Sequence, residues 1–255
     1  EQVDILIGEP LPITIIPLRL TAITKLAMPA RALDVSDEHH GVVITAHAIA
    51  RGADTTAVLL QTTLGPHPRK RFMRSLGRIR DDPRSGAAGV TIDDGSSESI
   101  TAFAGTRELS TGPEIRTIAV FPGVRPDAGE VTITIPFIVL SEYLGSPVTL
   151  AVPFEGEITL GDDTAHVKIE RTTAPRGGSA VGVELTGTWR DDRRLLYAES
   201  LTVGDKYGGV GFKGMPEEPP IMTYADDPTG AATTVALESP NVQLRGPWRL
   251  SVALP

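Results

Sequence analysis

Val131-Thr132-Ile133-Thr134-Ile135-Pro136-Phe137-Ile138-Val139-Leu140 is the stretch that decides the fold. Its period-two alternation of apolar and polar residues is that of a β-strand, whose side chains point to opposite faces in turn. A turn segment, Pro126-Asp127-Ala128-Gly129, leads into it, and Gly145 and a second run, Val148 to Pro153, follow. The same succession returns about a hundred residues later: Pro228-Thr229-Gly230, then Thr233 to Leu237, Val242 to Leu244, Gly246, and Trp248 to Pro255.

Two further blocks repeat in the same order. Ile5-Leu6-Ile7-Gly8 before the Ile13–Ile16 run matches Ile158-Thr159-Leu160-Gly161 before the His166–Ile169 run. Thr91-Ile92-Asp93-Asp94-Gly95 before Ser99–Phe103 matches Thr202-Val203-Gly204-Asp205 before Val210-Gly211-Phe212. Three matched blocks in one order indicate an internal duplication. The junction falls near Phe154 to Glu157, so the expected units are residues 1–154 and 155–255. The first copy is longer, and residues 63–88 read as a basic insertion within it.

Further strand runs lie at Val3–Ile7, Val42–Ala48, Ala57–Thr62, Ile115–Phe121, Ala180–Trp189 and Leu195–Val203. The 255 residues hold 26 Gly and 21 Pro, which supply turns between many short strands. Capped helical stripes are absent from the pattern, although short helical turns are expected near Leu26–Leu33 and Phe72–Ile79. The reading is all-β, with two tandem β-sandwich domains.

Composition excludes several functions. Without cysteine there is no disulfide, thiolate metal site or cysteine nucleophile. A net charge of −8 argues against a general nucleic-acid binder. No apolar run reaches the roughly 18 residues of a membrane span.

The early strand, the strand ending in Asp before a Gly turn, and the closing strand Arg245-Gly246-Pro247-Trp248-Arg249-Leu250-Ser251-Val252 carry a resemblance. The chain resembles the extracytoplasmic immunoglobulin-like C-terminal modules of bacterial anti-sigma-factor-like membrane proteins. The first copy departs from the pattern at Leu144-Gly145-Ser146-Pro147-Val148, which lacks the Trp. The resemblance implies two tandem immunoglobulin-like β-sandwiches, a place in the cell envelope or at the cell surface, and a membrane helix with a sigma-binding segment ahead of Glu1.

Candidate chemistry is sparse. Asp34-Val35-Ser36-Asp37-Glu38-His39-His40 holds metal-ligating residue types, but lacks zinc-helix spacing and reads as a polar loop. The pairs Asp81-Asp82, Asp93-Asp94, Asp162-Asp163, Asp191-Asp192 and Asp226-Asp227 fit turns better than calcium loops. There is no nucleophile elbow, and Gly208-Gly209-Val210-Gly211 reads as a hairpin, without the helix a phosphate loop needs. No catalytic residue, metal or cofactor is expected. Trp189 and Trp248 read as core anchors, and Gly204 to Gly230 as hairpin connections or a recognition loop.

One segment stands out. From Arg69 to Arg84 there are seven basic and two acidic residues, a net of +5 in a chain of −8. Arg69, Lys70, Arg71, Phe72, Arg74, Arg78 and Arg80 are the candidate partner- or surface-binding residues. They either meet an anionic surface or acidic partner, or fold back onto the acidic body and cover a sheet edge. The expected function is a non-catalytic interaction or sensing module, whose partner is an unknown protein or envelope component. The alternative is a structural cell-surface protein, such as an adhesin or filament subunit, that self-associates through edges at Glu1–Gly8 and Trp248–Pro255.

Overall fold

A computed structural model describes residues 30–76, 89–102, 107–108, 114–174, 177–203, 206–207, 211–213 and 221–254. The elements among these residues are all strands. In chain order they begin with β1 (Ala30–His39), β2 (Val42–Arg51), β3 (Thr55–Leu64), β4 (Arg71–Leu76), β5 (Thr91–Asp93) and β6 (Ile100–Thr101). There follow β7 (Arg107–Glu108), β8 (Glu114–Pro122), β9 (Glu130–Glu142), β10 (Val148–Ala151), β11 (Phe154–Leu160) and β12 (Asp163–Thr173). The last six are β13 (Ser179–Gly187), β14 (Arg193–Val203), β15 (Lys206–Tyr207), β16 (Gly211–Lys213), β17 (Ile221–Asp226) and β18 (Thr234–Ala253). Among the described residues no helix is long and apolar enough to cross a membrane.

Two of the sheets share one strand pattern. One outer sheet has the order β1-β2-β3-β8-β7, and the other has the matching order β11-β12-β13-β17-β16. The central sheet reads β15-β14-β18-β9-β5-β6, a sequence that mirrors about the β18–β9 pair. β4 pairs with β9 opposite Ile138–Glu142, much as the start of β14 pairs with β18 opposite Asn241–Leu244. The Phe72–Ile79 stretch, expected to hold a helical turn, is therefore a strand from Arg71 to Leu76, and its remainder lies outside the described residues. Near Leu26–Leu33, β1 is already a strand from Ala30. The Ile5–Ile16 block of the repeat also lies outside the described residues.

The repeated late segments pair crosswise. Val131–Ile135 lies against Trp248–Val252, while Val148–Ala151 lies against Thr234–Leu237. Each copy thus lends a strand to its twin, and the central sheet takes strands from both sides of Phe154. β18 is its spine. Val235 and Leu237 are buried, every residue from Pro240 to Leu244 is buried, and Trp248, Leu250 and Val252 are buried between exposed neighbours. A bulge between Arg245 and Trp248 resets the register there. Gly246 is needed at that bulge, because a Cβ on it would come within 2.6 Å of the Ile135 carbonyl oxygen.

Alternation explains which residues build the core. β2 buries Val42, Ile44 and Ala46 on one face, and β12 buries Ala165, Val167 and Ile169. One continuous apolar cluster joins these to Ile133, Ile138, Leu140, Leu195, Val242 and Trp248 of the central sheet. Trp248 is fully buried, as its place in the sequence suggested, whereas Trp189 is 37% exposed and is not a core residue.

Candidate functional site

The basic run begins with Arg69-Lys70-Arg71-Phe72, and a strand's period of two sorts these residues onto two faces. Arg71 stands opposite Glu142 and Phe72 opposite Ser141, while the Tyr143 N–H donates to the Lys70 carbonyl at 2.9 Å. Arg69 and Arg71 therefore turn toward the seam between the outer sheets, and Lys70 and Phe72 toward the back of the central sheet.

In the seam, charges from distant parts of the chain neutralise one another. Arg193 donates through Nη1 and Nη2 to the two oxygens of Glu142 at 3.0 and 2.9 Å. Its Nε and Nη2 also reach Asp163, at 2.8 and 2.6 Å. Arg69 forks onto Asp162 at 2.7 and 2.9 Å and lies 3.6 Å from Glu142. The Glu142 side chain is 0% exposed, so its charge depends on these partners. Burial opposes the charge on Arg193, but the bonds to Asp163 and Glu142 outweigh it and raise its pKa. The Arg69 bond likewise holds Asp162 below the usual carboxylate range. Arg71 is the strained member. Its Nη2 donates to the Gly65 carbonyl at 3.1 Å, its Nε is buried without a partner, and burial lowers its pKa despite nearby Glu142.

Tight turns frame this network. His40 and Gly41 adopt φ of 54° and 68° in the two-residue link from β1 to β2. Asp191 and Asp192, at 46° and 60°, make the link between Arg190 and Arg193. A cleft of about 550 Å³ opens here, lined by His40, His67, Arg71, Arg190, Asp191 and Leu244 besides the paired groups. Arg69, Arg71 and Arg193 balance Glu142, Asp162 and Asp163, so these charges chiefly clamp the two halves together.

The back of the central sheet has a different character. Val139 faces Gln243, which faces Arg194, and Phe137 faces Arg245. The Trp189 ring lies 4.6 Å from the Arg194 guanidinium and 4.1 Å from that of Arg245, within cation–π range. Arg194 also donates to the Gln243 side chain at 2.8 Å. Its pKa is lowered by burial and by Arg245. Phe137, Val139, Leu196 and Tyr197 form a buried cluster on this face, separate from the main core. At its rim stand Phe72, Tyr143 and Trp189, 47%, 45% and 37% exposed, the large exposed hydrophobics among the described residues.

The candidate residues thus separate. Arg69 and Arg71 are seam residues, while Lys70 and Phe72 are exposed on the back face. Arg74 lies on β4, and Arg78 and Arg80 lie outside the described residues. Tyr143, Trp189, Arg194 and Arg245 complete the back face and were not singled out from sequence as surface residues. The sequence signal was the alternation Ser141-Glu142-Tyr143, which puts Tyr143 on the face away from Glu142.

The remaining candidates are local. His39 packs edge-on against Trp248 at 5.5 Å. The His67 Nδ1 accepts from the Arg69 N–H at 3.2 Å. The buried Nε2 of His47 has no hydrogen-bond partner. His166 is held on the outer surface between Glu155 and Glu157, at 3.6 and 3.5 Å. The acidic pairs serve turns: Asp94 accepts from the N–H groups of Arg125 and Ser96, and Asp227 from that of Ala232. Among the described residues no group of three or more His, Asp and Glu side chains could hold a metal ion. The chain matches no protein-family model, no curated protein and no solved structure.

Proposed function

We propose that the chain is a non-catalytic interaction module that acts outside the cytoplasm, as the external part of an anti-sigma-type membrane regulator. The observation that carries the interaction reading is the back face. Three exposed aromatics, Phe72, Tyr143 and Trp189, share it with Lys70, Arg194 and Arg245. Aromatic and Arg enrichment around a packed centre is the composition of protein-binding hot spots. The seam charges, by contrast, are spent on one another and fix the module's shape. The extracytoplasmic and regulatory parts of the reading rest on the sequence resemblance and on the duplicated all-β design.

A structural cell-surface protein assembling through its strand edges has less support. The Trp248–Ala253 edge is already engaged, with the Arg249 N–H bonded to Asp37 at 2.7 Å and Arg31 reaching the Ala253 carbonyl at 3.3 Å.

Fractionation of the native gene product tests the reading. Membrane association, cleavage by protease added outside the cell, and capture of a cytosolic sigma-like partner are the expected results. A product found wholly in the cytosol, or one that never engages such a partner, overturns the regulator assignment.

A further inference from the structure

The outer faces of the two outer sheets differ in kind. A sheet with one face in water alternates apolar and polar residues along each strand. β12 does so, with His166, Lys168 and Glu170 turned outward between the buried Ala165, Val167 and Ile169. β2, β3 and β8 do not. Inward they bury Ile49, Val58, Leu60 and Ala119, and outward they carry apolar residues again.

Register sets these outward residues in two rows. Ala32, Ala48, Leu59 and Ile118 cross β1, β2, β3 and β8 in one row, and Ala30, Ala50, Ala57 and Val120 in the next. Ala30 and Ala32 are exposed, the others are half-buried, and none of them belongs to a buried core cluster. The central sheet packs on the opposite side, where Trp248 joins Val42, Ile44 and Leu60 in the core. His47, the extra residue of the β2 bulge, shares the outer face, and its buried Nε2 has no partner. Ser36, Thr45, Gln61 and Arg116 form a polar row beyond the apolar ones, with Arg116 donating to Gln61 at 3.3 Å. Glu38 and Glu114 follow, and Arg107 flanks Ile118 on β7. Charge is thus confined to one end and one edge of this face.

Side-chain size is divided across the same rows. β1 and β2 present only Ala there, whereas β3 and β8 present Leu59, Ile118 and Val120. A two-fold axis lying in a contact plane along the strands, between β2 and β3, would turn β8 over β1 and β3 over β2. Ile118 and Val120 of each copy then meet Ala32 and Ala30 of the other, and Leu59 meets Ala48. Large against small is how facing sheets interdigitate. An axis across the strands would instead set large on large and Ala on Ala. The four strands hold nine or ten residues each, so at about 4.8 Å between strands and about 3.4 Å per residue the face covers about 600 Å². Two such faces bury about 1,200 Å², enough for a stable specific contact.

We propose that this face is the contact of a two-fold homodimer, its occupant being the same face of a second copy of the chain.

Sedimentation velocity on the full chain tests this, from about 0.5 to about 200 µM, since contacts of such area start at micromolar strength. The expected result is a monomer–dimer equilibrium without longer species, because a two-fold contact closes on itself. Raising salt from about 50 to about 500 mM should leave it unchanged, as the apolar rows carry no charge. Leu59→Glu and, separately, Ala48→Arg should each weaken the dimer about ten-fold or more, by burying an unpaired charge. Thr164→Glu, on the outer face of β12, should leave it as it is. Circular dichroism checks the fold of each variant, and the sites lie on different strands so that one can fail to fold without ending the test. The chain has no cysteine, so Ala48→Cys and Leu59→Cys chains can be mixed and treated with a thiol cross-linker. A linker of about 10 Å, the spacing of packed sheets, should join them, and should not join Thr164→Cys chains.

A wild-type chain that stays monomeric at the highest concentration overturns the proposal. So does a dimer unaffected by folded Leu59→Glu and Ala48→Arg. Flotation of a monomeric chain with phosphatidylcholine vesicles, lost in Leu59→Glu, would give the face to a lipid surface instead. None of these variants alters Phe72, Tyr143 or Trp189, so failure here leaves the back-face reading standing.

Discussion

Trp248 donates its indole N–H to the carbonyl of Val42 at 3.0 Å, across 206 residues of chain. Trp248 belongs to the closing strand of the second copy and Val42 opens β2 of the first. The bond therefore fixes β18 over the β1-β2-β3 sheet, inside a site with no exposure to water. Trp248→Phe keeps most of the apolar volume but removes the indole donor from the Val42 carbonyl. It should cost about 1–3 kcal/mol of unfolding free energy, while Trp248→Ala should cost about 3–5 kcal/mol. Urea unfolding with an unchanged m-value is the measurement, and a loss below about 0.5 kcal/mol for both variants would mean that this anchor is dispensable.

The seam yields a second prediction. Arg193→Ala leaves Glu142 and Asp163 without their main counter-charge, and breaking one side of a buried pair costs about 3–5 kcal/mol. Glu142→Ala should be costly as well, since Arg193 and Arg69 then face each other across the gap. The double variant should lose clearly less than the two single losses together, because the second change removes a charge the first had orphaned. A double-mutant cycle by denaturant unfolding reads the coupling, and strict additivity would show that the network is not acting as a unit.

Acid should act through the turn carboxylates. Asp94 is held below its ordinary pKa first by the Arg125 backbone N–H, helped by Ser96 and opposed by burial. Asp162 is depressed by its Arg69 bond, and Asp227 by the Ala232 N–H. A group depressed in the folded state stabilises the protein above the unfolded value of about 3.9, and that stabilisation vanishes as pH falls through the folded value. The melting temperature should be level from about pH 7 to about pH 5 and fall below about pH 4. In Asp94→Asn the side-chain nitrogen confronts one of the two N–H donors, so stability at neutral pH should drop by about 1–3 kcal/mol and the acid limb should become shallower. An acid limb identical to wild type would remove Asp94 from this account.

Much of the fold was legible in the sequence, and the reason is alternation. The strand stretches Val42–Ala48, Val131–Leu140 and His166–Glu170 need only a period of two. The crosswise pairing was not legible, because a repeated block does not state which copy will pair with it. The same gap explains the two tryptophans. Trp248 follows Gly246-Pro247 into a strand covered by the first outer sheet, whereas the β13 strand ends at Gly187 and leaves Trp189 at a turn beneath two arginines. Local pattern treats them alike, and tertiary contacts separate them. In the basic run, residue type predicted surface contact, but only strand phase could assign Arg69 and Arg71 to the seam and Lys70 and Phe72 to the back face.

The last prediction concerns the halves. The repeat suggests separable units at residues 1–154 and 155–255, yet β9 and β10 find their hydrogen-bonded neighbour in β18. A fragment of residues 1–154 would expose the edge of β9 and uncover Val131, Ile133 and Ile135, which Val252, Leu250 and Trp248 now face. A fragment of residues 155–255 would carry a twenty-residue strand whose second half has lost its partner. Exposed apolar strand edges of this kind favour aggregation. Neither fragment should therefore unfold cooperatively by itself, whereas co-expression should give a non-covalent complex that purifies together and melts in a single transition. Two-dimensional NMR with good dispersion for either fragment alone would show that the shared central sheet is dispensable and that each half folds without its twin.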